Sequence, residues 1–315
     1  MTKIDQIKFN FKKNFVVNYH YVRPIRESKF PGVNGLEIDK FTVQLDLLEK
    51  MSRIVCFDEF SEVYKNDVIT VAKKPICLLT FDDGLKDHIE FVLPELLKRN
   101  LTGVFFISTG PLMGKPLEVN KIQFILHHVA NYNFIMKDIM KFTKEHKTTN
   151  IFNFEKHLDR FDTGMKSQIK SFLQRGLPLN QRSMLISELF NKYVGLTDKE
   201  FVNYLFLDKY DVSQMANAGM YIGYHSENHH RFSDLDEPQA FSEVKAPIHF
   251  FQKNIEPSLE IKSVAYPFGD SIPSIRDYYL KNGVSWGFNT IHESIDDKNF
   301  DPMQIPRWDT NNILV

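Results

Sequence analysis

The sequence has little cysteine, no long apolar run and almost no net charge, and each scarcity excludes a class of protein. Only Cys56 and Cys77 occur among 315 residues, and their spacing fits neither a disulfide framework nor a metal cluster. The formal net charge of −1, from 39 basic and 40 acidic residues, gives no support for a nucleic-acid or anionic-membrane partner. No run approaches the roughly 18 apolar residues of a transmembrane helix.

A targeting signal is also missing from the first residues. The segment Met1–Lys8 carries charges throughout and has no apolar stretch of the kind that a secretory signal peptide needs. We therefore expect a cytoplasmic protein. With 43% hydrophobic residues, the chain can form a substantial core, and 315 residues allow one large domain or two smaller ones.

Short apolar segments alternate with segments of helical periodicity over most of the chain, which predicts a parallel sheet flanked by helices. The predicted strands lie near residues 15–20, 76–81, 104–108, 220–224, 261–266 and 284–290, with a seventh near 305–308. Candidate polar residues follow the ends of several of these strands. In a (β/α) barrel, that edge of the sheet is the catalytic face.

The alternation stops between residues 111 and 210. This stretch is rich in Lys, Asn and Phe, contains helical patterns and is too long for a structureless loop in a compact domain. We therefore predict two parts. Residues 1–110 and 211–315 form the barrel, and residues 111–210 form a helical insertion or lid subdomain.

Two adjacent carboxylates follow the predicted strand that begins at Ile76. Asp82 and Asp83 precede Gly84, so the pattern alone is equally typical of a strand followed by an Asp-Gly turn. Two carboxylates this close repel each other, and the pKa of one should rise unless a cation binds. A bound metal ion would relieve that cost.

A pair of histidines follows the predicted strand at 220–224. His225 and His229 are four residues apart, which places them on one face if the chain turns helical there. Two imidazoles and one carboxylate are a common ligand set for a divalent ion with open coordination positions. A pair of histidines alone is usually exposed at the surface without a function. Two clusters of polar residues at strand ends in one chain favour a metal site.

The segments Thr80–Gly84 (Thr-Phe-Asp-Asp-Gly) and His225–His229 (His-Ser-Glu-Asn-His) together resemble two motifs of the polysaccharide deacetylases, the NodB-homology carbohydrate esterases. The resemblance covers the chain from about Phe15 to Trp308, except for the middle segment. It implies an α/β fold, a distorted and incomplete (β/α) barrel of about seven strands. It also implies a metal-dependent hydrolase that removes an N-acetyl group from an amino sugar or glycan.

The resemblance also implies roles for single residues. Asp82 corresponds to the general base, and Asp83, His225 and His229 correspond to the metal ligands. One divalent ion is expected; we predict zinc, and Co, Ni, Mn or Fe suit the same ligands. His20 resembles the general acid of a branch of the family in which that histidine lies in a Tyr-His pair after the first strand.

A third motif of the family points to the residues around a proline. There, the backbone N–H after the proline stabilises the oxyanion, which implies Phe268, with Tyr266 and Pro267 beside it as substrate-site residues. Where the family commonly has an arginine before this proline, the present sequence has Ala265. We predict that Arg307 reaches the general base in its place, and an ordinary surface ion pair is an equal alternative.

Other interpretations stay open at this stage. The family's usual C-terminal Leu-x-x-His motif is absent, and His292 stands in a poorly matching context. His230 is expected to lie outside the metal ligands, either behind them or facing solvent. The chain could instead hydrolyse a non-acetyl or non-sugar amide, as a deformylase or cyclic amidase does, or be a catalytically lapsed glycan-binding domain.

Overall fold

The computed structural model describes residues 12–65, 74–148, 164–255, 259–295 and 301–313. The segment Met1–Lys8, on which the expectation about a signal peptide depends, lies outside these residues. Within them, the strands are β1 (Phe15–Tyr19), β2 (Arg53–Ile54), β3 (Ile76–Phe81), β4 (Val104–Ile107), β5 (Tyr221–Tyr224), β6 (Ser263–Ala265), β7 (Trp286–Phe288) and β8 (Trp308–Asp309).

The helices in the same part of the chain alternate with these strands, except for one uninterrupted series between β4 and β5. They are α1 (Ile38–Met51), α2 (Phe57–Lys65), α3 (Leu93–Lys98), α4 (Thr109–Leu112), α5 (Glu118–His128), α6 (Tyr132–Glu145), α7 (Gly164–Arg175), α8 (Leu179–Tyr193), α9 (Asp198–Leu205), α10 (Lys209–Asn217), α11 (Glu237–Asn254) and α12 (Pro273–Lys281). One turn of π-helix, His88–Val92, precedes α3.

The strands form one parallel sheet in the order β7-β6-β5-β4-β3-β1-β8, with β2 paired to β3. The segment leading into β8 passes from one edge of the sheet to the other. The N–H of Ile305 donates to the carbonyl of Gly287 at 2.7 Å, beside β7, and Trp308 then pairs with Val17 on β1. The sheet is thereby curled into a distorted, incomplete barrel, which confirms the predicted fold class.

The two faces of the strands carry two separate apolar clusters because side chains alternate along a strand. Val17 and Leu79 belong to the larger cluster, which is covered by helices, whereas Val16 and Leu78 belong to a smaller cluster in the barrel interior. The sequence analysis did not predict β2 or α2. The aromatic residues of α2 join the interior cluster, where the Phe60 ring lies 5.7 Å from that of Trp286.

Trp286 is the first residue of β7, so α2 fills the end of the barrel at which the strands begin. This packing leaves the opposite end, where the strands terminate, for polar side chains. The loops that follow β1, β3, β5 and β6 all leave the sheet at that end.

The contacts within the chain define two compact units. The first contains the described residues up to Pro24, those in 35–113 and those from 205 onwards, and the second contains residues 25–34 and 114–204. The boundaries that were predicted at 110/111 and 210/211 lie a few residues from those of the second unit, but residues 25–34 were predicted to belong to the barrel. The division into domains and the role of a lid stay predictions.

The second unit has its own apolar core, in which the rings of Phe124 and Phe201 lie 4.8 Å apart. A partly buried ion pair joins two of its helices, with Arg182 Nε donating to Glu118 Oε2 at 3.0 Å. Among the described helices of the whole chain, none has both the length and the apolar content that crossing a bilayer requires.

Candidate active site

One carboxylate and two imidazoles meet at the strand ends. Asp83 follows β3, and His225 and His229 belong to the loop after β5. Asp83 Oδ1 lies 3.3 Å from His225 Nε2 and 3.5 Å from His229 Nε2, and all three side chains are buried. Their candidate ligand atoms all lie within 4.8 Å of one another. The two segments that the sequence analysis combined into one metal site are therefore adjacent in the structure.

The hydrogen bonding of His225 shows that the cluster fits a divalent cation. His225 Nδ1 lies 2.7 Å from the carbonyl oxygen of Ala265. A carbonyl can only accept, so Nδ1 carries the proton, and in the neutral ring Nε2 has its lone pair directed at Asp83. His225 Nε2 is buried without a hydrogen-bond partner among the described residues. A cation between these atoms would satisfy a lone pair that otherwise faces a carboxylate.

The charges of the cluster influence one another strongly. Burial raises the pKa of Asp83, but the two imidazoles beside it, His225 and His229, outweigh burial and hold that pKa well below its usual range. Burial lowers the pKa of His229 to about 4, so this imidazole is neutral near pH 7 and free of the proton that would block a metal.

Asp82 lies next to this cluster and is held by Arg307. Arg307 Nη1 donates to Asp82 Oδ1 at 2.8 Å and Nη2 donates to Oδ2 at 2.7 Å, a bidentate pair. The guanidinium is fully buried and also donates to the Asn289 carbonyl at 3.0 Å and to Thr80 Oγ1 at 3.2 Å. Burial raises the pKa of Asp82, but Arg307 outweighs it and lowers that pKa to about 2. The ion pair is therefore internal, unlike the surface pair considered as an alternative.

His20 follows β1 and completes the polar group around Asp82. Its Nε2 lies 4.0 Å from Asp82 Oδ2, and its side chain is 36% exposed, in contrast to the buried carboxylate. The structure thus brings His20, Asp82 and the Asp83 cluster to one end of the barrel. By contrast, the ring of His292 stacks on that of Trp308, with centroids 5.8 Å apart.

The predicted oxyanion segment lies beside the second histidine of the cluster. The ring of Phe268 meets that of His229 edge to face, with centroids 4.8 Å apart. Pro267 is buried next to it. Tyr266 is fully buried, and its ring faces that of Tyr279 in the core. This burial gives no support to the predicted substrate contact of Tyr266.

Backbone strain is concentrated in these loops. Asp83, Ser226, His229 and Phe268 have φ angles of 74°, 60°, 60° and 58°, in the left-handed region that residues with a Cβ seldom adopt. Each such conformation costs on the order of 1–3 kcal/mol and persists only when its surroundings enforce it. The next residue after Asp83, Gly84, is also left-handed, with a φ of 66°, but glycine adopts this conformation without strain. Strain at four site residues argues for a functional constraint on these loops.

The fold is shared with solved structures of low sequence identity. They include the Streptococcus pyogenes deacetylase PplD in complex with acetate (13% identity, 95% of this chain and 93% of that chain, TM-score 0.56), IcaB from Ammonifex degensii (14%, 95% and 93%, 0.54) and BC0361, a polysaccharide deacetylase from Bacillus cereus (11%, 95% and 65%, 0.52). At these identities, the likeness concerns the fold. No curated protein matches the sequence.

A family model described as polysaccharide deacetylase matches residues 191–287. The match contains His225, His229 and Phe268, and it excludes the Asp82-Asp83 pair, which the structure places beside them. Over these residues, the chain is similar to the polysaccharide deacetylases. The resemblance seen in the sequence is thereby confirmed, and the roles of single residues stay predictions.

The loop that carries the two histidines is anchored to α11. Glu243 is buried and accepts hydrogen bonds from the N–H of Asn228 at 2.9 Å and from Asn228 Nδ2 at 2.7 Å. Its Oε1 also lies 3.1 Å from His230 Nδ1. Burial raises the pKa of Glu243, but His230 and Asn228 outweigh it and lower that pKa. His230 therefore faces Glu243, while His229 faces Asp83.

The chain after β1 is fixed by a second buried group. Asp87 Oδ2 accepts from the N–H of Val22 at 3.0 Å and from Arg23 Nε at 2.8 Å, and Arg23 Nη2 also contacts Asp87 Oδ1. His88 Nε2 lies 3.1 Å from the carbonyl oxygen of His20, to which it donates. Burial lowers the pKa of His88 to about 4, so the ring is neutral. These contacts position His20 from the π-helical turn behind β3.

Sequence reasoning missed the residues of this supporting layer. Arg23, Asp87, His88 and Glu243 were not singled out at all. Glu243 lies among the buried positions of an amphipathic helix. In a sequence, a charged residue of a helix is ordinarily assigned to the face in contact with solvent, so its burial could not be predicted. The available signal for Asp87 and His88 was their position three and four residues after Gly84, close to the predicted site.

Proposed function

We propose that the chain is a metal-dependent hydrolase that removes an N-acetyl group from an amino sugar or glycan. The main support is the buried convergence of Asp83, His225 and His229 beside an ionised Asp82 that Arg307 holds. A related fold, that of the S. pyogenes deacetylase PplD, is known in complex with acetate, the acid that hydrolysis of an N-acetyl group releases. The match to the polysaccharide deacetylase family model supports an acylated glycan as the substrate.

Asp83, His225 and His229 would hold the divalent cation, for which we propose zinc; Co, Ni, Mn and Fe suit the same ligands. When bound, such an ion polarises an acyl carbonyl and lowers the pKa of a water molecule. The chain contributes the orientation. The Ala265 carbonyl fixes the tautomer of His225, and the Glu243 carboxylate fixes the loop that presents His229.

Asp82 is the proposed general base, with Oδ2 as the atom that receives the proton of the attacking water. A pKa of about 2 is low for a base, because Arg307 donates to both oxygens. The contribution of Arg307 is therefore to keep the carboxylate ionised and aimed, rather than to raise its basicity. In this proposal, Arg307 takes the place of the family's arginine, whose position in this chain is occupied by Ala265.

His20 is the proposed general acid. Its imidazole is the partly exposed member of the group, and its Nε2 lies on the Asp82 side of the site, where the imidazolium could donate a proton to the departing amine nitrogen. The backbone N–H of Phe268 is the proposed donor to the oxyanion, with the left-handed turn at Phe268 setting its direction.

The test is metal content and acetate release, measured on wild type and Asp82→Asn with N-acetylated sugars and short glycans. We expect both proteins to bind a divalent ion and only wild type to release acetate, because the substitution removes the base and leaves the ligands. Asp39→Asn, at an exposed position in the first turn of α1, is the matched control and should keep wild-type activity.

The other outcomes separate the alternatives. If the protein binds metal but releases acetate from no substrate, the N-acetyl substrate is wrong, and a non-acetyl or non-sugar amide takes its place in the proposal. If the protein binds no metal even after reconstitution, the enzyme proposal is wrong, and the chain is a glycan-binding domain without catalytic activity. Acetate release by Asp82→Asn at the wild-type rate would remove Asp82 from the mechanism.

A further inference from the structure

Phe268 has an unusual conformation and two specific ring contacts. Its backbone is left-handed, with φ 58° and ψ 14°. Its ring meets the His229 ring at 4.8 Å, and the guanidinium carbon of Arg231 lies 4.5 Å from the centre of the same ring. Arg231 is partly exposed and comes from the loop after β5, whereas Phe268 belongs to the turn after β6.

The two segments are also joined next to this contact. The N–H of Ser233 donates to Asp270 Oδ2 at 2.7 Å, so the loop after Arg231 is tied to the residues after Phe268. Thr290 Oγ1 donates to the Phe268 carbonyl at 3.3 Å. Arg231 Nε itself lies 3.9 Å from Asp234 Oδ2, within its own loop. Hydrogen bonds therefore fix the backbone around Phe268, and Arg231 contacts the Phe268 side chain.

A left-handed phenylalanine returns to an extended or right-handed conformation unless its surroundings prevent it. Returning would change the rotation about the N–Cα bond of Phe268. This rotation sets the angle between the peptide plane that contains the N–H and the Cα that carries the ring, so the ring and the N–H could no longer both keep their present directions. A guanidinium within about 6 Å of an aromatic ring centre is attracted to the ring. The Arg231 contact at 4.5 Å therefore stabilises the conformation that places both groups at the site.

We propose that Arg231 is a positioning residue for catalysis: it holds Phe268 in its left-handed conformation and so aims the Phe268 N–H at the reacting carbonyl. This inference rests on the proposed function, in which that N–H stabilises the oxyanion. Arg231 acts through Phe268 and makes no contact with the substrate. Its effect is therefore on the rate of the chemical step and not on substrate binding.

The kinetic test compares Arg231→Gln and Arg231→Lys with wild type on the substrate that wild type deacetylates. We expect Arg231→Gln to lower kcat by about tenfold, with KM and metal content unchanged. Lysine keeps the charge but lacks the planar group, so Arg231→Lys should be intermediate. The control is Lys209→Gln, because the Lys209 ammonium lies 5.0 Å from the Phe250 ring, away from the site; its kcat should equal that of wild type.

A double-mutant cycle with Phe268→Leu shows whether Arg231 acts through Phe268. The variant that carries both Arg231→Gln and Phe268→Leu should be no slower than Phe268→Leu alone, because the ring that Arg231 holds is already absent. Additive losses, a change in KM alone or a loss of bound metal in Arg231→Gln would overturn the proposal. A wild-type kcat in Arg231→Gln would do the same and leave the proposed function intact.

The contact can also be tested without any activity. In wild type, the side-chain protons of Arg231 should have upfield-shifted NMR resonances from the Phe268 ring, and Phe268→Leu should abolish that shift while leaving the resonances of Lys209 unchanged. Unshifted Arg231 resonances in wild type would overturn the proposal whether or not the protein releases acetate.

Discussion

Replacing Arg307 with methionine removes a buried charge and keeps most of the side-chain volume. The guanidinium makes four hydrogen bonds, two of them to Asp82, and both side chains are almost completely buried. After the substitution, the Asp82 carboxylate keeps its burial without its counter-charge. Breaking such a pair from one side costs about 3–5 kcal/mol, so we expect the free energy of unfolding of Arg307→Met to fall by about that amount at pH 7.

The pH dependence of this loss has a definite sign. In wild type, the pKa of Asp82 is about 2 in the folded state against an ordinary value of 3.8, so its environment contributes roughly 2 kcal/mol above pH 4, which is lost as the pH falls through 2. In Arg307→Met, burial without the cation raises the pKa of Asp82 above 3.8, and protonation then removes the buried charge. The stability difference between wild type and variant should therefore shrink between pH 7 and pH 5.

The assay is urea unfolding followed by circular dichroism, on protein treated with a chelator so that no metal charge acts on Asp82. Arg53→Met is the matched control. Arg53 pairs with Glu59, but both side chains are 40–45% exposed, and such a surface pair contributes at most about 1 kcal/mol. Equal losses in the two variants, or a loss in Arg307→Met that is the same at both pH values, would refute the reasoning.

The same substitution should also lower kcat by at least about tenfold with metal content unchanged, because Asp82 loses its fixed direction and its ionised state. A wild-type rate in Arg307→Met would leave Arg307 a structural role only.

Three further predictions concern the surroundings of the site. The pKa of His88 is about 4 in the folded state against 6.5 when unfolded, so His88 should lower the free energy of unfolding of wild type by roughly 3 kcal/mol between pH 6.5 and pH 4. Urea unfolding should show that His88→Gln lacks this contribution. An unchanged dependence of the free energy of unfolding on pH would contradict the prediction. Glu243→Gln should weaken zinc binding by about tenfold in a chelator competition, whereas Glu237→Gln, in the first turn of the same helix, should not, and equal affinities would remove the anchoring role. Zinc should raise the Tm of His230→Ala but not of His229→Ala, and the reverse result would exchange their roles.

The arrangement of the sheet was predictable because each long strand has its own local signal. The apolar runs of β1, β3 and β4 are buried on both faces, which is the pattern of parallel strands. The two-residue β2 is too short to carry a periodic pattern. The position of α2 depends on Trp286, which is more than 200 residues away in the sequence, and no local pattern reports such a contact.

The approach of Asp83, His225 and His229 was predictable for a topological reason. In a parallel sheet, the strands end at one edge, so Asp83 and His225 must approach each other even though the chain between them is long. The contact between His88 and the His20 carbonyl has no such rule, because it depends on how the π-helical turn packs on the sheet. The contact itself is therefore visible only in the folded structure.

The arginine that holds Asp82 can come from a distant part of the sequence because the barrel interior is one shared space. Arg307 lies over the rings of Phe106 and Phe288, 5.5 and 6.0 Å from their centres. Phe288 is the strand partner of Ala265, the position at which the family commonly has its arginine. Ala265 belongs to the same interior cluster as both rings, so a long side chain there would compete with Phe288 and Arg307 for one volume. The small residue at 265 therefore leaves room for the side chain of Arg307, and the Asp82 carboxylate keeps a cationic partner.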